Sequence, residues 1–354
     1  MPALTALIHS TFDPASRFRI LQWLPHLEGL GWTVTHRANR PPRYRRCISG
    51  NLAEQISFLG SRWRRRLNRR LDIARCAEAD VVWLNRDLLE ADPRWEQALV
   101  RVNPRLVFDL DDATYLNDRR GHFAAVCAAA ALVIAANEPL ADAARRYTNR
   151  VEILPTVIDT AGYRVIPPAM LAAAPLRLGW CGSDLSIRQT LYPVLPLLAR
   201  LQQELGFELI IVSRPRPDIA ITGLRWHYVE WNPLVETRLA DYFDIGIMPL
   251  QDNSFQRAKS GCKLLQYMAS GLPAIASPIG VNRDFIEASD GAIAASGDSD
   301  WKAAVQTLSD PVLRQSMGAR GHQWCEATMS TQHWLPVLDK LLRGVAEKCR
   351  GHSA

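Results

Sequence analysis

The sequence predicts an α/β protein of two doubly wound, Rossmann-like parallel-sheet domains in tandem, and three observations carry this. Short apolar runs of strand length alternate with helix-period segments through residue 154, a proline-rich stretch interrupts them, and the same alternation then restarts. Repeated β-α units imply parallel strands covered by helices on both faces. The length of 354 residues also exceeds the roughly 250–300 that a single core accommodates. A composition with 48% hydrophobic and 22% charged residues is that of an ordinary globular chain.

The first half opens with LTALIH at 4–9 as a strand. RILQWLPHLEGLG follows, with Ile20, Leu24, Leu27 and Leu30 at helical spacing and Gly31 as the stop. WTVTH at 32–36, ADVVWL at 79–84, PRLVFDL at 104–110, ALVIA at 131–135 and VEIL at 151–154 are further strands. The alanine-rich run at 124–136 falls short of the ~18 apolar residues of a membrane span and reads as a helix end entering a strand. Residues 155–175 carry four prolines and no periodicity, as a linker does.

Beyond it LRLGW, FELIIV, RWHYV, DIGIMPL, PAIAS and GAIAA read as strands, with helices over 188–205, 233–243 and 262–270. The tail from about 310 to 348 is helical, with Trp324, Trp334, Leu335, Leu338, Leu341 and Leu342 as its apolar positions. The expected domains are 1–165 and 170–328, with 329–354 a final helix crossing back onto the first domain. Open parallel sheets bind ligands at the carboxyl ends of their strands, so two such sheets facing each other predict an active-site cleft.

Bulk properties exclude several classes. The N-terminus lacks a basic segment and a cleavage pattern, which predicts no signal peptide. Seven cysteines without a CxxC predict neither a zinc cage nor a disulfide framework, and fit a reducing cytoplasm. Charge is uneven: residues 1–165 hold 24 arginines, no lysine and 18 acids, which accounts for the whole net charge of +6.

The stretch KSGCKLLQYMASGLPAIASPIG at 259–280 places Lys259, Ser260, Gly261 and Lys263 at the mouth of a short amphipathic helix. The first amides of a helix have no internal partners and its start carries roughly half a positive charge, so such an end accepts anions. A plain surface lysine pair is the alternative. LRLGWCGSDLSIRQ at 176–189 supplies a second strand-turn-helix start with Gly182, Ser183 and Arg188, and IIVSRPRP at 210–217 puts Arg214 at a third strand end. Neither a dinucleotide fingerprint nor a P-loop is present. Basic residues at neighbouring strand ends suggest a diphosphate held without a dedicated glycine motif.

The block DIGIMPLQDNSFQRAKSGCKLLQYMASGLPAIASPIGVN at 244–282 resembles the donor-binding signature of family-4-type retaining glycosyltransferases of GT-B fold (glycosyl transferases group 1), and LGWCGS, ANEPLADAA and LPTVID extend the likeness. The resemblance implies a hexosyltransferase-type enzyme that is metal-independent and takes a UDP- or GDP-linked sugar as substrate. It also implies a donor-binding C-terminal domain, an acceptor-binding N-terminal domain, and an acceptor that is lipid-linked or a polysaccharide or cell-surface glycan. By this likeness Gly182, Ser183, Arg188, Lys259 and Lys263 contact the diphosphate, and Gln266 lies toward the ribose. Arg214, Ser260 and Gly261 complete the expected nucleotide-sugar site, with Lys263, Arg188 and Asp111 as catalytic candidates. The family's two glutamates, eight positions apart, are replaced here by Ala258 and Gln266. A non-catalytic nucleotide-sugar-binding relative therefore stays open as an alternative.

In the N-terminal half, Arg17 or Arg19 in the loop after the first strand is a candidate to reach a phosphate. VFDLDDATY at 107–115 allows a second alternative, a Mg²⁺-dependent phosphatase of haloacid dehalogenase type using Asp109 and Asp111, although Ala113 stands where that motif has threonine. In the glycosyltransferase reading Asp111 or Asp112 faces the donor sugar. The run SRWRRRLNRRL at 61–71 projects Leu52, Ile56, Leu59, Trp63, Leu67 and Leu71 onto one helical stripe. Arg62, Arg65 and Arg69 project opposite, flanked by Arg64, Arg66 and Arg70, with Arg43, Arg45 and Arg46 upstream. The expectation is a buried leucine stripe and an exposed arginine face, an acceptor or membrane patch of Arg62, Arg65, Arg66 and Arg69. Such a face attracts an anionic membrane surface at ~1 kcal/mol per residue, making the protein peripheral on the cytoplasmic side. A solvated face or another polyanion are the alternatives. Nucleic acid is not expected, since only Trp63 and Tyr44 offer stacking partners.

Overall fold

Among the described residues of the computed structural model, twelve strands, every pairing parallel, form two six-stranded sheets. The structure describes residues 1–40, 52–89, 92–165 and 175–348, the side chains of 52–58 and 348 excepted. The first sheet comprises β1 (Ala3–Ile8), β2 (Thr33–Ala38), β3 (Val81–Asn85), β4 (Leu106–Leu110), β5 (Leu132–Ala135) and β6 (Val151–Ile153), in the order β2-β1-β3-β4-β5-β6. The second comprises β7 (Arg177–Ser183), β8 (Glu208–Arg214), β9 (Trp226–Glu230), β10 (Ile245–Met248), β11 (Ala274–Ala276) and β12 (Ala292–Ala294), ordered β12-β11-β10-β7-β8-β9. The inner strands β3, β4, β5, β10 and β11 are buried throughout, as a sheet covered on both faces requires.

Two compact units result: Met1–Thr156 with Trp334–Ala354, and Val157–His333. The last helix, Thr331–Lys348, thus contributes mostly to the first unit, where Trp32 donates its indole N–H to Asp339 at 2.6 Å and Arg343 donates to the Leu30 carbonyl at 2.9 Å. Part of the expected linker is ordered within the second unit. Ile158 bridges to Ser330, and Arg164 N–H reaches the Thr237 carbonyl at 2.8 Å. Residues 166–174 lie outside the described residues.

Prolines break two segments that hydrophobic spacing reads as single helices. The 19–31 segment divides into the end of a helix Pro14–Arg19, a turn at Leu21–Trp23, and a helix Leu24–Gly29 with Pro25 in its first turn. Likewise the regular helix Leu195–Leu205 starts only after two irregular turns over 187–194 that contain Pro193. A proline has no N–H for the helical ladder and clashes with the preceding turn, so spacing alone overstates helix length.

The helix Leu52–Arg75 reverses the expected orientation. Leu59, Trp63, Leu67 and Leu71 are exposed, at 54%, 72%, 58% and 48%, while Arg65 and Arg69 are buried. The physical reason is the carboxyl edge of the sheet, where carbonyls run out of strand partners and need donors. Arg69 supplies them, donating to the carbonyls of Ile8 at 2.7 Å, Leu88 at 3.2 Å and Arg37 at 3.3 Å, with Asp72 beside it at 3.4 Å. Arg65 and Arg69 therefore do not form an outward patch with Arg62 and Arg66. Arg43, Arg45 and Arg46 lie outside the described residues.

Candidate active site

In the second sheet the strand order reverses between β7 and β10, the switch point where open parallel sheets hold ligands beyond their carboxyl ends. Strand β7 runs out into Gly182 and Ser183, and the helix Cys262–Ala269 follows β10. Tyr267 sets the position of that helix. Its buried ring lies against Gly246 of β10, where a Cβ would come within 2.3 Å. Its hydroxyl accepts from the Cys181 N–H and donates to the Ile247 carbonyl, both at 3.2 Å, tying the helix to both switch-point strands.

The helix closes as its sequence suggests. Gly271, at φ +69°, lets Leu272 N–H reach the Tyr267 carbonyl and Gly271 N–H the Met268 carbonyl, each at 2.9 Å. At its start Gly261, also at φ +69°, provides no side-chain cap. The first-turn amides and dipole are thereby presented without a competing side-chain oxygen.

Residues from both turns converge at this mouth. Lys263 donates from Nζ to the Ser186 hydroxyl at 2.8 Å, and the same ammonium lies 5.3 Å from the Trp180 ring centroid, a cation–π contact. A Cβ on Gly182 would stand 2.8 Å from Lys263 Cε and 2.6 Å from the Trp180 ring, so only glycine leaves the approach open. Ser183 caps the next turn by accepting the Ser186 N–H at 3.3 Å. In sheet register Ser183 sits beside Arg214, whose guanidinium lies 3.7 Å from Glu230. The assembly can hold an anion between a cation, hydroxyls and helix-start amides.

Other expected residues lie differently. Arg188 is largely exposed and paired with Asp184 at 3.4 Å. Lys259 has its ammonium 5.0 Å from the Phe255 ring, and Ser260 is half-buried between it and the helix. Gln266 is buried, with Nε2 3.4 Å from the Tyr163 hydroxyl, and Ala258 is buried too. Sequence reasoning missed Ser186, Trp180 and Tyr267. The signal for the first was present as the Ser-x-x-Ser spacing of 183 and 186, a cap and a hydroxyl one turn apart.

In the first unit Asp111 receives both prongs of Arg86, at 2.9 and 3.0 Å, and Asp112 lies 3.7 Å from the same guanidinium. Burial by itself pushes the Asp111 carboxyl up, but Arg86 more than reverses this and holds it below the usual carboxylate range. Asp109 is fully enclosed, clamped by Arg19 at 2.9 and 3.0 Å and by Asn85 at 3.2 Å. This corrects two expectations. Arg19 is spent inside the fold rather than reaching a phosphate, and Asp109 has no access for the metal and substrate that the phosphatase reading needs. Among the described residues no three His, Cys, Asp or Glu side chains are grouped to hold a metal.

Residues 178–310 match the family described as glycosyl transferases group 1. No curated protein matches the sequence. Among solved structures, a sucrose-phosphate synthase from Thermosynechococcus elongatus is similar at a TM-score of 0.69 and 12% identity, covering 98% of this chain and 99% of that one. HepE from Anabaena, in complex with UDP and glucose, is similar at a TM-score of 0.64 and 13% identity, covering 99% and 100%. WaaG, a glycosyltransferase involved in lipopolysaccharide biosynthesis, is similar at a TM-score of 0.63 and 16% identity, covering 97% and 98%. Whole-chain likeness shows the GT-B fold, and the segment matched to the family carries the glycosyltransferase assignment. The group 1 glycosyltransferase domain occupies its second unit, around the Lys263 site.

Proposed function

We propose that the enzyme moves a sugar from a UDP- or GDP-linked donor to a hydroxyl of a lipid-linked or polysaccharide acceptor, with retention of configuration and without a metal cofactor. The observation that carries the reading is the Lys263–Ser186 contact at the mouth of the Cys262–Ala269 helix. There the protein's own cation and amides can balance the charge that develops on the departing diphosphate. The sugar C1–O bond to the diphosphate breaks, a C1–O bond to the acceptor forms on the same face, and the acceptor proton passes to a diphosphate oxygen. Arg214 adds positive charge at the end of the neighbouring strand β8, whereas Arg188 would join it only on leaving Asp184. A uridine base is favoured by analogy with HepE, which has been crystallised with UDP-glucose.

The first unit would bind the acceptor, on the cytoplasmic face of a membrane. Asp111 would act there as a fixed negative charge orienting a sugar or acceptor hydroxyl, since its pairing with Arg86 keeps it ionised. Among the described residues no helix is long and apolar enough to cross a membrane. A thermal-shift screen of UDP, GDP, ADP and their sugars tests the donor, followed by NMR of the product anomer with and without EDTA. A rise in Tm with one diphosphate and an EDTA-insensitive retained product are expected. A Tm unmoved by every nucleotide would sink the reading.

A further inference from the structure

We propose that the outward face of the Leu52–Arg75 helix is an interfacial membrane-docking surface, in which leucine and tryptophan side chains enter the lipid and arginines at the edges hold anionic headgroups. This deepens the acceptor side of the proposed function and rests on that reading for its cytoplasmic, lipid-facing context.

The argument starts from the inverted helix. Leu59, Trp63, Leu67 and Leu71 recur every fourth residue, all 48–72% exposed. At about 100° and 1.5 Å per residue they make one stripe roughly 18 Å long. Relative to Leu67, Arg64 projects about 60° to one side and Arg70 about 60° to the other, and Arg75 lies further round on the Arg64 side. All three arginines are exposed. Buried Asp72 pairs with Arg69 and lies 3.8 Å from Arg75, so the outward positive charge rests mainly on Arg64 and Arg70.

Scattered exposed leucines are ordinary, but an aligned apolar stripe with tryptophan at its centre is not. Leucine and tryptophan on one face with arginines along its borders is the composition of helices that lie in the bilayer interface. Positive edges select an anionic lipid surface over an acidic-free apolar partner. A second copy of the chain would bring like-charged arginine rows together, which disfavours self-association through this face. The same inversion explains why the arginine count is so high: some arginines close the sheet edge and others border the stripe.

Co-sedimentation of the full chain with vesicles of phosphatidylcholine and phosphatidylglycerol in equal amounts, against phosphatidylcholine alone, tests this. Binding to the anionic vesicles is expected, weakening as salt is raised. Leu67→Glu should reduce partitioning by about tenfold or more, from the lost apolar burial. Arg64→Glu with Arg70→Glu should reduce it by a similar factor on anionic vesicles only. Both variants should keep the wild-type Tm and its shift with nucleotide, which separates this surface from the donor site. A failed nucleotide response in wild type with vesicle binding intact would count against the donor reading alone. Absence of wild-type binding, or binding unchanged by Leu67→Glu, overturns the docking surface. So does a wild-type dimer, seen by light scattering, that Leu67→Glu converts to monomer.

Discussion

The ammonium of Lys263 lies 2.8 Å from the hydroxyl of Ser186, a residue 77 positions earlier in the chain. Two strand-helix turns are thereby joined at the one place in the second sheet where strand order reverses. Either turn alone is an unremarkable helix start; together they enclose a place for an anion.

Lys263→Ala removes the cation facing the leaving diphosphate. A lost donor of this kind costs about 3–4 kcal/mol of barrier, so turnover should fall a hundredfold or more. The side chain is only partly buried and belongs to the mouth rather than the core, so Tm should hold. Wild-type rates in this variant would remove Lys263 from the mechanism.

Gly182→Ala tests the approach to the site without touching a charge. The new methyl would meet Lys263 Cε and the Trp180 ring at under 3 Å. Lysine can swing aside, whereas the fully buried tryptophan cannot. Nucleotide affinity should weaken by about tenfold or more, as an ammonium displaced from its hydroxyl loses about 1.5–3 kcal/mol. Calorimetric titration with the diphosphate reads it directly.

Tyr267→Phe keeps the ring against Gly246 and deletes the hydroxyl that joins β7 to β10. A buried donor and a buried carbonyl lose their partner, a cost of about 1–3 kcal/mol. Urea denaturation should show the loss in midpoint with an unchanged slope.

Arg69→Met should destabilise the first unit far more than Arg70→Ala, one residue away. The first change takes one of two donors from each of the Ile8 and Leu88 carbonyls, which Asn39 also serves, and leaves buried Asp72 without its guanidinium, a loss of about 1–3 kcal/mol in all. The second is a surface substitution, expected within about 0.5 kcal/mol of wild type. Equal effects would contradict the helix orientation.

Stability should decline as pH rises above the unfolded histidine value of about 6.5 because of His122. Burial by itself lowers its pKa, but Glu96, 2.9 Å away, together with Asp87 and Asp118, raises it above the ordinary value. A raised folded-state pKa means the stabilisation is complete below the unfolded value of about 6.5 and disappears as pH climbs through the folded one. His122→Gln should flatten that part of the profile in denaturation measured from pH 5 to 9. A wild-type curve flat over this window would rule out the ion pair as its source.

Much of the fold was legible because parallel strands buried on both faces must be nearly all apolar. Runs such as VVWL at 81–84 and LIIV at 209–212 announce themselves for that reason. The helix stop at Gly271 was equally local, since a left-handed closing residue is a property of one position. Prolines 25 and 193 were visible too, yet spacing alone ran the helices through them.

The Leu52–Arg75 helix marks the limit. Amphipathic spacing reveals that two faces differ in chemistry, but which face turns inward depends on what the rest of the chain offers it. Here the first sheet offered carbonyls with acceptor capacity to spare beyond Asn39, and a guanidinium fills it where a leucine cannot. Local sequence alone specifies the strands, the two-sheet architecture and a short list of candidate cations near one strand edge. Which of them meet is set by the folded chain, which places Lys263 on Ser186, turns Arg188 to Asp184 and encloses Arg19 with Asp109. Side-chain partnership is a long-range property, set by strand order and by the demand that every buried polar group find a mate, and no local pattern encodes it.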